Sequence, residues 1–118
     1  MRSMQRNLCA YLQDVLNAAA AISDFTNALT NSAFEADDLV RSAVERKFEI
    51  IGEALRQASL YFPGSVDSVP DLKDAVGQRN RIAHGYFDVD AKVLWDTIHS
   101  DLAILVKEVE RLKLVHCS

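Results

Sequence analysis

The sequence of 118 residues is poor in cysteine, proline and glycine and contains no long apolar run. Cys9 and Cys117 lie near opposite ends of the chain without metal-ligand spacing, so we interpret them as free thiols. The three histidines form no Cys/His cluster, which argues against a built-in metal site. No apolar stretch approaches the roughly 18 residues of a membrane span, and the amino terminus lacks a signal-peptide core. We therefore expect a cytoplasmic protein that does not contact membranes.

A net positive charge is also absent. The formal net charge is -4, which argues against a protein that coats nucleic acid through bulk electrostatics. Any contact with RNA must therefore be local. What is present is ordinary for a globular domain: 49% of the residues are hydrophobic and 25% are charged. The length fits a single domain over residues 1–118 that can bury a real core.

Apolar residues recur at three- and four-residue steps through most of the chain, which predicts helices and no strand. Four main helices are predicted, over about residues 4–29, 32–62 and 70–83 and from residue 88 or 90 to beyond residue 112. Ser32 and Glu35 have the spacing of a capping box, and Pro63-Gly64 ends the second helix. The predicted fold is an all-α, up-and-down four-helix bundle with a short additional helix or turn.

The segment from Arg79 to Tyr86 carries most of the functional signal. Its pattern is Arg-x4-His-x-Tyr, with Arg79, His84 and Tyr86 at the fixed positions and an amide, Asn80, after the arginine. Asn80 and His84 are four residues apart and share a helix face, whereas Gly85 can end or kink the helix before the tyrosine. We take Arg79, Asn80 and His84 as candidate catalytic residues.

The chemistry that such a set can perform is narrow. A guanidinium recognises phosphate bidentately, and a histidine exchanges a proton near neutral pH. Together they suit RNA cleavage, in which the 2′-hydroxyl is the internal nucleophile and no metal or cofactor is required. The same spacing arises by chance in many helices, so the pattern by itself is a hypothesis.

A wider resemblance supports that hypothesis. Several short segments, in order and at matching spacing over nearly the whole chain, resemble the HepT-like family, also called DUF86, of the HEPN superfamily. These segments are residues 11–16, 25–26, 43–46, 48–54, 79–80, 84–90, 93–95 and 101–102.

The resemblance implies an α-helical homodimer in which two Arg-x4-His motifs meet at the subunit interface. It also implies a metal-independent ribonuclease that acts as the toxin of a toxin–antitoxin system on RNA, in some members transfer RNA. The antitoxin of such a system is an MNT-type nucleotidyltransferase that silences the toxin by AMPylation of the motif tyrosine. In this sequence the modified residue would be Tyr86.

Two alternatives to catalysis remain open. The helical dimer can bind a nucleotide, or serve as the partner subunit of a minimal nucleotidyltransferase, without cutting RNA.

The row of Glu45, Glu49 and Glu53 is interpreted as a solvated helix face. Gly52, inside the second helix, suggests the close approach of another helix, for which the dimer partner is one candidate.

Overall fold

A computed structural model describes residues 7–70, 72 and 91–117 of the chain. These residues contain helices and no strand, which confirms the predicted all-α class for this part of the protein. The helices are α1 (Leu8–Thr26), α2 (Asn31–Ala36), α3 (Asp38–Tyr61), α4 (Ala91–His99) and α5 (Asp101–His116). The third helix predicted from the sequence, over residues 70–83, lies outside the described residues. The four-helix arrangement therefore stays a prediction.

Helix α1 is central to the described part of the fold, because it packs along both α3 and α5. Most of its predicted apolar stripe is buried, and Leu12, Val15 and Ile22 are completely buried, whereas Phe25 is 38% exposed. Asn7 caps the helix: its side-chain oxygen accepts a hydrogen bond from the backbone N–H of Ala10 at 2.9 Å. No helix among the described residues has the length and apolar character of a membrane span.

The prediction of one continuous second helix is wrong, because the segment forms two helices, α2 and α3, which are separated at Asp37. Asp37 has an extended backbone, and its carboxylate accepts a hydrogen bond from the N–H of Val40 at 3.0 Å, which starts α3. The capping-box prediction is also wrong, since Thr30 caps α2 and Ser32 lies inside it. The short α2 turns Phe34 into the core, where its ring lies 5.3 Å from that of Trp95 on α4.

The predicted last helix is also divided, here at Ser100. The hydroxyl of Ser100 donates a hydrogen bond to the carbonyl of Asp96 at 2.6 Å, and its backbone leaves the helical conformation. The predicted buried stripe nevertheless continues across the break. Leu94 and Ile98 on α4 and Leu102 and Leu105 on α5 are buried.

The predicted end of the second helix is confirmed. Helix α3 ends at Tyr61, and Gly64 has a positive φ of 85°, a conformation that residues with a Cβ rarely adopt. Two residues of the predicted buried stripe are exposed instead. Leu39 is 79% exposed in the first turn of α3 and Tyr61 is 43% exposed in its last turn, where no described helix covers them.

The prediction of free thiols is wrong. Cys9 in the first turn of α1 and Cys117 after α5 form a disulfide, with their Cα atoms 5.9 Å apart. The bond joins residues separated by 108 positions in sequence and fixes the end of α5 to the start of α1. Nearby, the ammonium of Lys113 donates a hydrogen bond to the Gln13 side chain at 2.6 Å, which ties the same two helices together.

Candidate functional site

All four sequence-predicted site residues, Arg79, Asn80, His84 and Tyr86, lie outside the described residues. The described chain reaches the edges of this segment at two positions that belong to the core. Leu72 is buried on the amino-terminal side, and half-buried Ala91 packs against the core on the carboxyl-terminal side. Leu72 and Ala91 are therefore both held against the hydrophobic core.

A groove of about 390 Å³ runs between α1 and α3, and we call it the α1–α3 groove. Among the described residues that line it, the charged side chains are the carboxylates of Asp14, Glu49 and Glu53 and one cation, Arg46. Its remaining lining residues are Tyr11, Ile50, Ala54, Gln57 and Tyr61. Three acids against one base give this described part of the lining an excess of negative charge.

The charge of Glu53 is fixed by its neighbours on α3. The guanidinium of Arg56 donates hydrogen bonds to the Glu53 carboxylate at 2.8 and 3.2 Å, and the amide of Gln57 adds one at 2.9 Å. These hydrogen bonds, with Arg56 first and Gln57 second, lower the pKa of Glu53 to about 2. Glu53 is thus ionised throughout the physiological range, and it adds a fixed negative charge to the described lining of the α1–α3 groove.

A wider cleft of about 850 Å³ lies at the end of the bundle, between the turn after α3 and the last turns of α5. We call it the terminal cleft. Arg111 and His116 both line it, a pair of residue types that can act on phosphate. Arg111, however, donates to both oxygens of the Glu108 carboxylate, at 3.0 and 2.6 Å. Its cation is therefore already neutralised.

Glu108 links this end of α5 to the connecting segment after α3. Besides Arg111, the hydroxyl of Ser68 donates a hydrogen bond to its carboxylate. The Arg111 hydrogen bond, followed by that from Ser68, lowers the pKa of Glu108 to about 2. This link leaves no periodic signal in the sequence, because the two residues are 40 positions apart.

The described residues therefore provide a scaffold and two clefts, and in neither cleft do the described lining residues combine an unpaired cation with a histidine. Among residues 7–70, 72 and 91–117, no three His, Cys, Asp or Glu side chains come together as metal ligands. The α1–α3 groove is acidic, and the arginine of the terminal cleft is paired with a carboxylate. Of the residues singled out from the sequence, those with chemistry suited to RNA lie in the 79–86 segment.

Comparison with known proteins decides the family. The model of the family described as "Ribonuclease HepT-like" matches residues 15–112 of the chain. The chain belongs to the HepT-like ribonuclease family. The matched span of this HepT-like chain contains α2, α3, α4 and most of α1 and α5, and it includes the positions from Arg79 to Tyr86. No solved structure matches the HepT-like chain.

Two relatives of the HepT-like chain illustrate the extent of the similarity. "Putative RNase MJ1380" of Methanocaldococcus jannaschii is 37% identical over 106 residues, which cover 90% of this chain and 96% of the relative. "Probable ribonuclease HepT" of Thermococcus cleftensis is 33% identical over 110 residues, covering 93% of this chain and 99% of the relative. The similarity therefore extends over nearly the whole length of each pair of proteins.

Proposed function

We propose that the protein is a metal-independent endoribonuclease that acts as the toxin of a HEPN/MNT toxin–antitoxin system in the cytoplasm. The observation that carries the proposal is the family match over residues 15–112, within which the sequence retains a complete Arg-x4-His-x-Tyr motif. The names of both relatives describe ribonucleases, which agrees with RNA as the substrate class.

In the proposed reaction His84 removes the proton from a 2′-hydroxyl of the RNA, and the resulting oxygen attacks the neighbouring phosphorus. Arg79 binds the phosphate and stabilises the additional negative charge of the transition state. Asn80 orients His84 or a phosphate oxygen. The bond from phosphorus to the 5′-oxygen breaks, and the products are a 2′,3′-cyclic phosphate and a free 5′-hydroxyl.

A homodimer would complete this set. General acid–base cleavage requires one group to accept the proton of the nucleophile and another to protonate the leaving oxygen. Each chain contributes a single His84 in the motif, so a second copy would supply the second proton-transfer group. We therefore propose a four-helix-bundle protomer that pairs with a second copy and places both motifs in one cleft.

Control of the activity would act through Tyr86. Transfer of AMP from ATP to the Tyr86 hydroxyl by a nucleotidyltransferase antitoxin would form a phosphodiester and release pyrophosphate. The attached phosphate can pair with Arg79 and occupy the place of the RNA backbone, while its negative charge repels incoming RNA. Co-expression with an active antitoxin is expected to add the mass of AMP to the Tyr86 peptide and to suppress cleavage.

The experiment that tests this function uses the purified protein, free of antitoxin, with total cellular RNA in the presence of a chelator. Discrete cleavage with 2′,3′-cyclic phosphate ends is the expected result. Activity that disappears with chelator and returns with magnesium would refute the metal-independent mechanism.

Binding of RNA or nucleotide without cleavage would support the non-catalytic alternative. A Tyr86→Phe variant that active antitoxin still silences would refute control by AMPylation.

A further inference from the structure

The outer face of α3 carries a regular stripe that the bundle core does not use. Leu39, Arg46, Glu53 and Leu60 follow one another at seven-residue intervals, and seven residues return a helix to within about 20° of the same direction. We call these four residues the outer stripe. It points away from the buried face of α3, which contains Val44, Phe48, Ile51 and Ala58.

All four members of the outer stripe are accessible. Leu39 and Leu60 are 79% and 58% exposed. The side chains of Arg46 and Glu53 are 69% and 56% exposed. Single exposed leucines are common on protein surfaces. In the outer stripe, two leucines lie at the ends of a series spaced by seven residues, with two opposite charges between them. This pattern is more specific than single exposed leucines.

The stripe is complementary to itself. The midpoint between Leu39 and Leu60 falls between Glu49 and Ile50, and so does the midpoint between Arg46 and Glu53. A twofold axis through this midpoint would bring two α3 helices together antiparallel. Each Leu39 would then lie opposite Leu60 of the other copy, and each Arg46 opposite Glu53 of the other copy. A two-fold interface requires this kind of self-complementary surface.

We propose that the outer stripe of α3 is an interface with a second copy of this chain. The inference rests on the homodimer of the proposed function and adds the surface and register of pairing. The paired outer stripes would extend over about 31 Å, since their ends are 21 positions apart and the helix rises about 1.5 Å per residue. A shallow crossing, near 20°, keeps the leucine pairs at both ends in contact.

The present partners of the two charges do not prevent this pairing. Arg46 contacts Glu49 at 3.4 Å, and Glu53 is held by Arg56 at 2.8 Å. Both contacts are surface ion pairs between residues three positions apart on one helix, and Glu49 is half-buried; ion pairs of this class contribute little to stability. Arg46 can therefore turn to Glu53 of the second copy, and Glu53 can accept it while keeping Arg56. The same interaction would shield part of the acidic α1–α3 groove, which both residues line.

Charge reversal tests this register directly. Arg46→Glu alone and Glu53→Arg alone each place like charges opposite one another twice in every dimer. Each variant should raise the dimer dissociation constant by roughly a hundredfold. Mixing the two single variants in equal amounts should restore a dimer, because both contacts of the mixed pair then join opposite charges. The double variant Arg46→Glu/Glu53→Arg should also dimerise. Lys107→Glu, an equal change of charge on an exposed residue of α5, is the matched control.

The measurement is molar mass by light scattering over a range of concentrations, with helicity checked by circular dichroism. Wild type and Lys107→Glu should show twice the 13.1 kDa of one chain. A wild-type monomer would overturn both the homodimer and this interface. A wild-type dimer that resists both single reversals, or folded single variants that fail to associate on mixing, would overturn the interface alone. Metal-independent RNA cleavage is measured separately, so its absence in a charge-sensitive dimer would refute the proposed activity and leave the interface intact.

Discussion

Loss of the Cys9–Cys117 disulfide should destabilise the protein strongly. The bond links residues 108 positions apart, so in the unfolded chain it closes a loop that includes almost the whole sequence. The chain-entropy relation gives about 4.8 kcal/mol for a loop of this length at 25 °C, and measured effects are commonly smaller, at about 2–4 kcal/mol. We expect Cys9→Ser/Cys117→Ser to lower the free energy of unfolding by about 3 kcal/mol.

The corresponding fall in Tm is about 12 °C, because the unfolding entropy of a chain of this size is roughly 0.25 kcal/mol/K. Calorimetry of the oxidised protein, of the protein with reductant and of the double variant measures the effect. Reductant should lower the Tm of the wild type and leave that of the variant unchanged. Two titratable thiols in the unreduced, denatured protein, or a Tm shift below about 3 °C, would contradict the reasoning.

Three further perturbations test the scaffold. Asp37→Ala should cost about 1 kcal/mol in urea denaturation by removing the cap of α3; an unchanged midpoint would contradict the capping role. Phe34→Ala should cost about 3–5 kcal/mol and alter the fluorescence of Trp95, because it empties a fully buried position beside that ring. The folded-state pKa of Glu108 lies at about 2, below its unfolded value, so its stabilising effect is present above about pH 4.5 and is lost as the pH falls towards 2. Glu108→Gln should therefore flatten the acid side of the pH–stability curve, and an unchanged slope would argue against the pairing with Arg111.

The helical class and much of the core could be predicted because burial follows the helical period. Leu102, Leu105, Val109 and Leu112 follow the three- and four-residue period of the last predicted helix, and all four are buried. The break at Asp37 could not be predicted from that period, because apolar residues continue on both sides of it. The choice between one helix and two depends on Phe34 reaching the core, which is a tertiary contact.

The disulfide was missed although the predicted topology contained a signal for it. An up-and-down bundle with an even number of helices returns its last helix to the end where the first begins. Cys9 and Cys117 lie at those two ends, so the predicted fold itself places them near each other. Ligand spacing along the sequence was the wrong criterion, because it tests for metal sites and says nothing about contacts across a bundle.

The candidate catalytic residues were predicted from side-chain chemistry and from a family resemblance. The family itself is now shown by the match over residues 15–112. The roles of Arg79, Asn80, His84 and Tyr86 stay predictions, since these residues lie outside the described part of the structure. The distance from Arg79 to His84, and from either to a second copy, depends on helix packing that sequence spacing does not determine.

The most direct test of the proposed activity compares wild type, His84→Ala and His116→Ala on total cellular RNA with chelator present. His116 is an exposed histidine at the end of α5 that lines the terminal cleft, where Arg111 is already paired with Glu108, so it controls for the loss of an imidazole outside the motif. We predict discrete cleavage by wild type and His116→Ala, none by folded His84→Ala, and a reduction of about a hundred- to a thousandfold in Arg79→Ala. Equal cleavage by His84→Ala and wild type would contradict the assignment of His84 as the proton-transfer group and, with it, the proposed mechanism.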